Sequence, residues 1–241
     1  MIRTAERAAP GHLSEDRVFT TANAVVVLDG VTSTRPPDNN GAWYAQTLGE
    51  ELLNLLTSDD DLADLLATAI TRIVARHDLT PGDSPASTVA ITRWTHEKID
   101  TLVLADSPII TFGRTTTVIA DTRLAALRPI TRDQVPLLRN RPHGYWVAEA
   151  DPTAAHQAKR KTLPRADVEK VIIATDGVSC AVDDYQIFES WQSVLDLITA
   201  DGPEAVLDQI RAAELSDPTH TRWPRPKTHD DQALALIDFT A

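Results

Sequence analysis

Cysteine is almost missing from this chain: Cys180 is the only one in 241 residues. That excludes an internal disulfide framework and a cysteine-rich zinc site, and it predicts a reducing, cytoplasmic setting. Long apolar runs are absent too. The opening stretch "MIRTAERAAPGHLSEDR" holds no signal-peptide core, and no later run nears the roughly 20 residues of a membrane helix. The expectation is a soluble, unprocessed chain with no membrane partner. Basic residues are scarce, 23 against 35 acidic ones, for a net charge of −12. Nonspecific nucleic-acid binding needs the opposite balance and is excluded. The same field repels a phosphorylated substrate, so an enzyme acting on one would need local cations, either clustered arginines or bound metal. The seven histidines form no metalloprotease-type pair. No Pro/Gly/Ser-rich linker divides the chain, which predicts one domain over residues 1–241, with a surface excursion at about 128–168.

What is present is the balance of an ordinary globular protein, 42% hydrophobic and 24% charged, long enough for one substantial core. Short β-branched runs at 17–20, 24–28, 88–94, 99–105, 109–112, 171–175 and 232–239 have strand length and turn residues at their ends. Two blocks of helical periodicity interrupt them. One starts at Gly41 and carries Trp43, Leu48, Leu52 and Leu55, then Leu62, Leu65, Leu66, Ile70 and Ile73; the other covers 186–213 and breaks at "ADGP". Strands and helices do not alternate steadily, so a doubly wound parallel sheet is not expected. The order predicts an α+β fold, an antiparallel β-sandwich with helical layers covering both outer faces.

"VVVLDGVTS" at 25–33 and "VIIATDGVSC" at 171–180 share one design, an apolar strand running into Asp-Gly-Val. A single Asp-Gly after a strand is a common turn. The repeat and its surroundings point further. If the chain reverses near 21–23, Asp16 before the first strand and Asp29 after the second reach the same sheet edge. If 171–175 pairs antiparallel with 232–239, Asp176 meets Asp230 and Asp231 in the same way. Two carboxylates about 4 Å apart repel by roughly 4 kcal/mol at an effective dielectric near 20, so such a cluster asks for a cation. Oxygen ligands alone suit Mg²⁺ or Mn²⁺ better than zinc.

These segments resemble, in this order, the metal-dependent protein phosphatases of type 2C. The matching stretches are "SEDRVF", "VVVLDGVTS", "SPASTVAI", "VLADSP", "VIIATDGVSC" and "HDDQALALI", together spanning about 14–239. The resemblance implies the same sandwich flanked by helical layers. It implies a serine/threonine phosphatase with two divalent cations, Mn or Mg, acting on phosphorylated protein through a water that bridges them, with no protein nucleophile. Asp29 would bridge the two ions, Gly30 would offer its carbonyl to one, and Asp176 and Asp230 would hold the other. Asp16 joins this metal set by orienting the waters. Glu15 and Asp231 stand behind the ligands, and Asp106 belongs to a possible third metal.

The chain departs from the family at several positions. Val31 stands where many relatives have a histidine proposed as general acid, and no arginine precedes Glu15, although Arg17 and Arg35 are near. Ala105 replaces a glycine, and Cys180 replaces an acid of the third site. Two other readings stay open. An aspartyl-phosphate hydrolase of the haloacid dehalogenase type would need a nucleophilic Asp where Val27 stands. A type 2C fold that has lost catalysis would serve as a binding or regulatory module. Cys180 reads as a structural thiol, and His12 and His229 as solvated or ligand-supporting groups. Trp94, Trp146 and Trp191 read as packing residues. "QAKRK" at 157–161 reads as a basic surface loop placed where the family carries a flap, within reach of acidic substrate sequence.

Overall fold

The computed structural model describes residues 1–32, 36, 39–131 and 133–240. Arg35 lies outside them. Two five-stranded antiparallel sheets stack face to face. The first has the order β2 (Asp16–Thr20), β3 (Ala24–Asp29), β4 (Val89–Trp94), β5 (Lys98–Leu104) and β8 (Lys159–Pro164). The second has β1 (Ile2–Arg7), β10 (Gln232–Asp238), β9 (Val168–Ala174), β6 (Ile109–Gly113) and β7 (Thr117–Ile119).

The uninterrupted apolar strands follow from this layering. Successive side chains of a strand point to opposite faces, so a sheet covered on both sides has no polar face to offer. In β3, Val25 and Val27 enter the sandwich interior with Val103, Val171, Ile173 and Ala235. Val26 and Leu28 face outward into a second core with Leu48, Leu52, Leu66 and Ile70. Those leucines and isoleucines belong to α1 (Gly41–Leu55) and α2 (Leu62–His77), which cap the first sheet. The second sheet sends Ile110, Ile172, Leu234 and Leu236 outward against Val178, Trp191, Val194, Ile198 and Leu207. These lie on α5 (Asp176–Asp183), α6 (Trp191–Asp201) and α7 (Pro203–Ser216). The helices start where the sequence provides caps: Asn40 accepts from the N–H of Trp43, Asp61 from Ala63, and Ser190 from Ser193.

Three elements differ from the sequence reading. Residues 2–7 alternate polar and apolar side chains only weakly, yet form an edge strand hydrogen-bonded to β10, with Ile2 packed towards the sandwich interior and Ala5 towards the helices. Asp176, read as the end of a strand, opens a helix. Within 128–168, which also carries the short α4 (Val135–Leu138) after α3 (Arg123–Leu127), Lys159–Pro164 pairs with β5 as an edge strand. Its charged residues are exposed, as suits an edge, and Arg160 is paired with Asp61 at 2.8 Å. Lys159–Lys161 of the basic stretch are therefore solvent-exposed edge strand rather than loop. Among the described residues no helix is long and apolar enough to cross a membrane.

Candidate active site

The antiparallel register brings carboxylates to one edge of both sheets. Asp16 and Asp29 are direct partners across β2 and β3. In the second sheet Ala174 of β9 faces Leu234 of β10, so Asp176 follows one strand where Asp230 and Asp231 precede the other. Asp106 leaves the same edge just before β6.

Asp16, Asp29 and Asp231 are held by backbone and hydroxyl contacts. The Asp29 N–H donates to Thr88 Oγ1 at 3.0 Å, and the Asp29 carbonyl accepts from the Thr88 N–H at 2.9 Å and the Ser87 hydroxyl at 3.0 Å. Thr88 Oγ1 also lies 2.7 Å from Ser107 Oγ, next to Asp106. The Ser-Thr and Asp-Ser motifs thus work as one brace behind Asp29 and Asp106. Gly30 packs so tightly on the start of α1 that an added Cβ would lie 2.4 Å from the Gly41 carbonyl carbon. Asp231 turns away from the cluster and accepts from the N–H groups of Ala9, at 2.7 Å, and Glu15, at 2.6 Å. It pins the loop that carries Glu15 and Asp16.

Asp16 is buried, and the Thr175 hydroxyl donates to its Oδ2 at 2.7 Å. Asp230 accepts from Lys227 Nζ at 2.8 Å, and its carbonyl accepts from Arg211 at 3.0 Å. Arg211 and His229 both converge on Glu214, with His229 Nδ1 2.7 Å from Glu214 Oε2. His229 is therefore tied into a buried pair rather than solvated, while His12 is exposed. Trp94 packs edge-on against Phe239, and Trp191 is buried.

The electrostatics follow from the crowding. Burial, and then the fields of Asp16, Asp176, Asp106 and Asp230, hold Asp29 well above the usual carboxylate range. Burial does the same to Asp16, with Asp176, Asp231 and Asp230 adding to it and the Thr175 hydrogen bond opposing. Asp176 is pushed up to about 7 by burial and by Asp106 and Asp230, against the pull of Lys227 and Arg128. Asp106 is raised by burial as well, although Arg128 stands 3.5 Å from it. Asp29 and Asp176 nonetheless keep an opening to solvent, as groups awaiting a ligand must.

Such a set is stable in one of two ways, protonated or paired with cations. All its donors are oxygens, which selects a hard divalent ion. Among the described residues no three Asp, Glu, His or Cys side chains yet converge on one point. Asp16 accepts from Thr175, and Asp230 from Lys227. The donor chemistry fits a divalent centre, which the side chains do not close in this arrangement.

The third-site residues surround a cavity of about 150 Å³ lined by Asp106, Asp121, Arg128, Asp176, Cys180 and Asp183. Burial, and then Asp176 and Glu214, push the Cys180 thiol up, so it stays protonated and is no nucleophile. Ala105 adopts φ +68°, the conformation that the family's glycine would take without strain. Arg17 spends its guanidinium on the carbonyls of Ser14 and Asp16 and on Gln46. Sequence reasoning did not single out Thr175, Lys227, Arg128 or Arg211. Thr175 and Lys227 had one available signal, their closeness in sequence to Asp176 and Asp230.

Residues 5–212 match the protein phosphatase 2C family. The chain belongs to that family. It is, as a member, a metal-dependent protein phosphatase. Solved structures agree in fold. Serine/threonine phosphatase Stp1 from Staphylococcus aureus has a TM-score of 0.62 at 13% identity, covering 100% of this chain and 95% of that one. The PPM Ser-Thr phosphatase MsPP from Mycobacterium smegmatis, in complex with cacodylate, has 0.60 at 15% identity, covering 99% and 97%. The catalytic domain of the serine threonine protein phosphatase PstP, in complex with two manganese ions, has 0.58 at 16% identity, covering 98% and 97%. Among the curated proteins none matches the chain by sequence.

Proposed function

We propose that this phosphatase removes phosphate from phosphoserine and phosphothreonine in proteins, with two divalent cations, Mn²⁺ or Mg²⁺, at the shared edge of the sandwich. The observation that carries the reading is that the strand register places Asp16, Asp29, Asp176 and Asp230 at that one edge, three of them with carboxyls raised by burial and mutual repulsion. The manganese-bound PstP structure, alike in fold, supports the choice of ion and the number.

Asp29 would serve both ions, the Gly30 carbonyl one of them, and Asp176 and Asp230 would hold the other. Asp16, fixed by Thr175, would orient water at the site, with Glu15 beside it. When bound, the ions lower the pKa of water and offset charge on the phosphoryl oxygens. The chain's own part is rigidity. Thr88 and Ser87 clamp the Asp29 backbone, Asp231 anchors the Glu15 N–H, and Arg211 holds the Asp230 carbonyl. Val31 provides no proton. Asp106 stands beside an arginine in a cavity whose expected acid is Cys180, which supports two ions rather than three.

Residues 1–241 are read as one catalytic domain, with 128–168 as a flap-like excursion. The unpaired Cys180 supports a reducing, cytoplasmic setting. The test is hydrolysis of para-nitrophenyl phosphate with added Mn²⁺, comparing wild type, Asp29→Asn and an EDTA control. Turnover that needs metal and Asp29 supports the assignment. A wild type that binds Mn²⁺ without turnover turns the reading into a binding module.

A further inference from the structure

Divalent ions would offset the carboxylates, but a phosphomonoester still approaches a chain of net charge −12, and the family's arginine before Glu15 is missing. Arg17 cannot substitute, because its three donor contacts face backbone and Gln46. Among the described residues, two cations contact side-chain carboxylates of the cluster. Arg128 lies on the cavity side, 3.5 Å from Asp106. Lys227 lies on the other side, with Nζ 2.8 Å from Asp230 Oδ1 and 3.3 Å from Thr32 Oγ1. Thr32 in turn donates to Glu15 Oε2 at 2.5 Å. The ammonium therefore spans from the segment before β10 to the segment after β3, across the mouth of the site. Its side chain is 46% exposed, so a ligand arriving from solvent meets it directly. The fields of Asp176 and Asp29 act on it as well as that of Asp230.

We propose that Lys227 is the residue that positions the substrate phosphate. Its contact with Asp230 is the resting position of a flexible four-carbon stem. Once Asp230 is committed to a divalent ion, the ammonium is free to donate to a phosphoryl oxygen, a role its three rotatable donors suit. This inference rests on the phosphatase reading, and it deepens that reading by naming the group that holds the dianion.

The test uses Mn²⁺-loaded wild type, Lys227→Ala, Lys227→Arg and Arg128→Ala. Inorganic phosphate affinity is measured by calorimetry, and KM and kcat with para-nitrophenyl phosphate. Lys227→Ala is expected to weaken phosphate binding and raise KM by about tenfold or more, as loss of a charge-assisted hydrogen bond implies, with kcat changed far less. Lys227→Arg should restore most of the affinity, and the Mn²⁺ affinity of all variants should stay within a few-fold of wild type. Phosphate affinity unchanged in Lys227→Ala overturns the proposal. So does a loss that appears in Arg128→Ala instead, a loss that follows Mn²⁺ affinity factor for factor, or a wild type that binds no phosphate. A wild type that binds phosphate without turnover sinks the phosphatase reading, while the phosphate titrations still decide the role of Lys227.

Discussion

The hydroxyl of Thr175 donates to Asp16 Oδ2 at 2.7 Å, joining the end of a strand in one sheet to the start of a strand in the other. The same oxygen accepts from the Ala233 N–H at 3.0 Å, so it is fixed from the β10 side as well. One side chain thus sets the spacing of the two sheets at the edge where the carboxylates gather. Thr175→Val keeps the shape and removes the donor, leaving a buried carboxylate without its partner. The expected cost is about 1–3 kcal/mol of stability in thermal melts and about 10–100-fold in Mn²⁺ affinity by calorimetry. Thr175→Ser should recover most of both, and a Val variant with unchanged Mn²⁺ affinity would reduce Thr175 to a packing residue.

Asp29→Asn should trade stability against activity. Without metal, Asp29 is destabilising because it is raised by burial and by four neighbouring aspartates. Its amide variant is expected to melt a few degrees higher in EDTA, since about 1 kcal/mol moves a midpoint by about 2–4 °C in a chain of this size. Metal-dependent turnover should fall by at least about a hundredfold. Saturating Mn²⁺, about 100 times its Kd, should raise the stability of wild type by about 2.7 kcal/mol and that of the variant by much less. A variant that melts lower than wild type in EDTA would contradict the repulsion described for this cluster.

The metal-free protein should lose stability as pH rises. Asp176 is raised from 3.8 to about 7 in the fold, and Asp16 and Asp29 are raised in the same direction. Between those values the folded chain binds more protons than the unfolded one, so stability present below about pH 4 is lost as pH rises through about 7. Melts in EDTA are therefore expected to be higher at pH 5 than at pH 8. Metal should reverse the trend, because ions displace those protons and bind more tightly as pH increases. A metal-free midpoint that rises between pH 5 and 8 would show that other groups dominate.

Ala105→Gly should stabilise the protein. Ala105 sits at φ +68°, where a Cβ costs roughly 1–2 kcal/mol, and its N–H is held by Asp121 Oδ2 at 3.3 Å. Part of the gain is lost to the greater freedom of glycine in the unfolded chain, which leaves about 0.5–1 kcal/mol. Denaturant midpoints check it, and a loss of stability would mean that the methyl group contributes more packing than strain.

Much of the architecture was readable before any coordinates. Apolar runs such as Val25–Leu28 and Val171–Ala174 announce strands covered on both faces, because period-two alternation fails only where neither face is wet. Short reversals and antiparallel pairing then put Asp16 beside Asp29 and Asp176 beside Asp230, since strand direction alone decides which ends share an edge. The ligand candidates were legible for that reason. Local sequence could not determine β1 and β8, whose exposed charged residues become strand only because β10 and β5 present unpaired edges to them. It could not separate the tasks of neighbouring acids either. Asp230 faces the cluster while Asp231 turns to the N–H groups of Ala9 and Glu15, more than 200 residues away in the chain. Thr175, Lys227 and Arg128 gain their meaning from the stacking of two sheets and the path of a long connection. Hydrogen bonds and fields act through space, and only the tertiary structure decides which distant groups come within their reach.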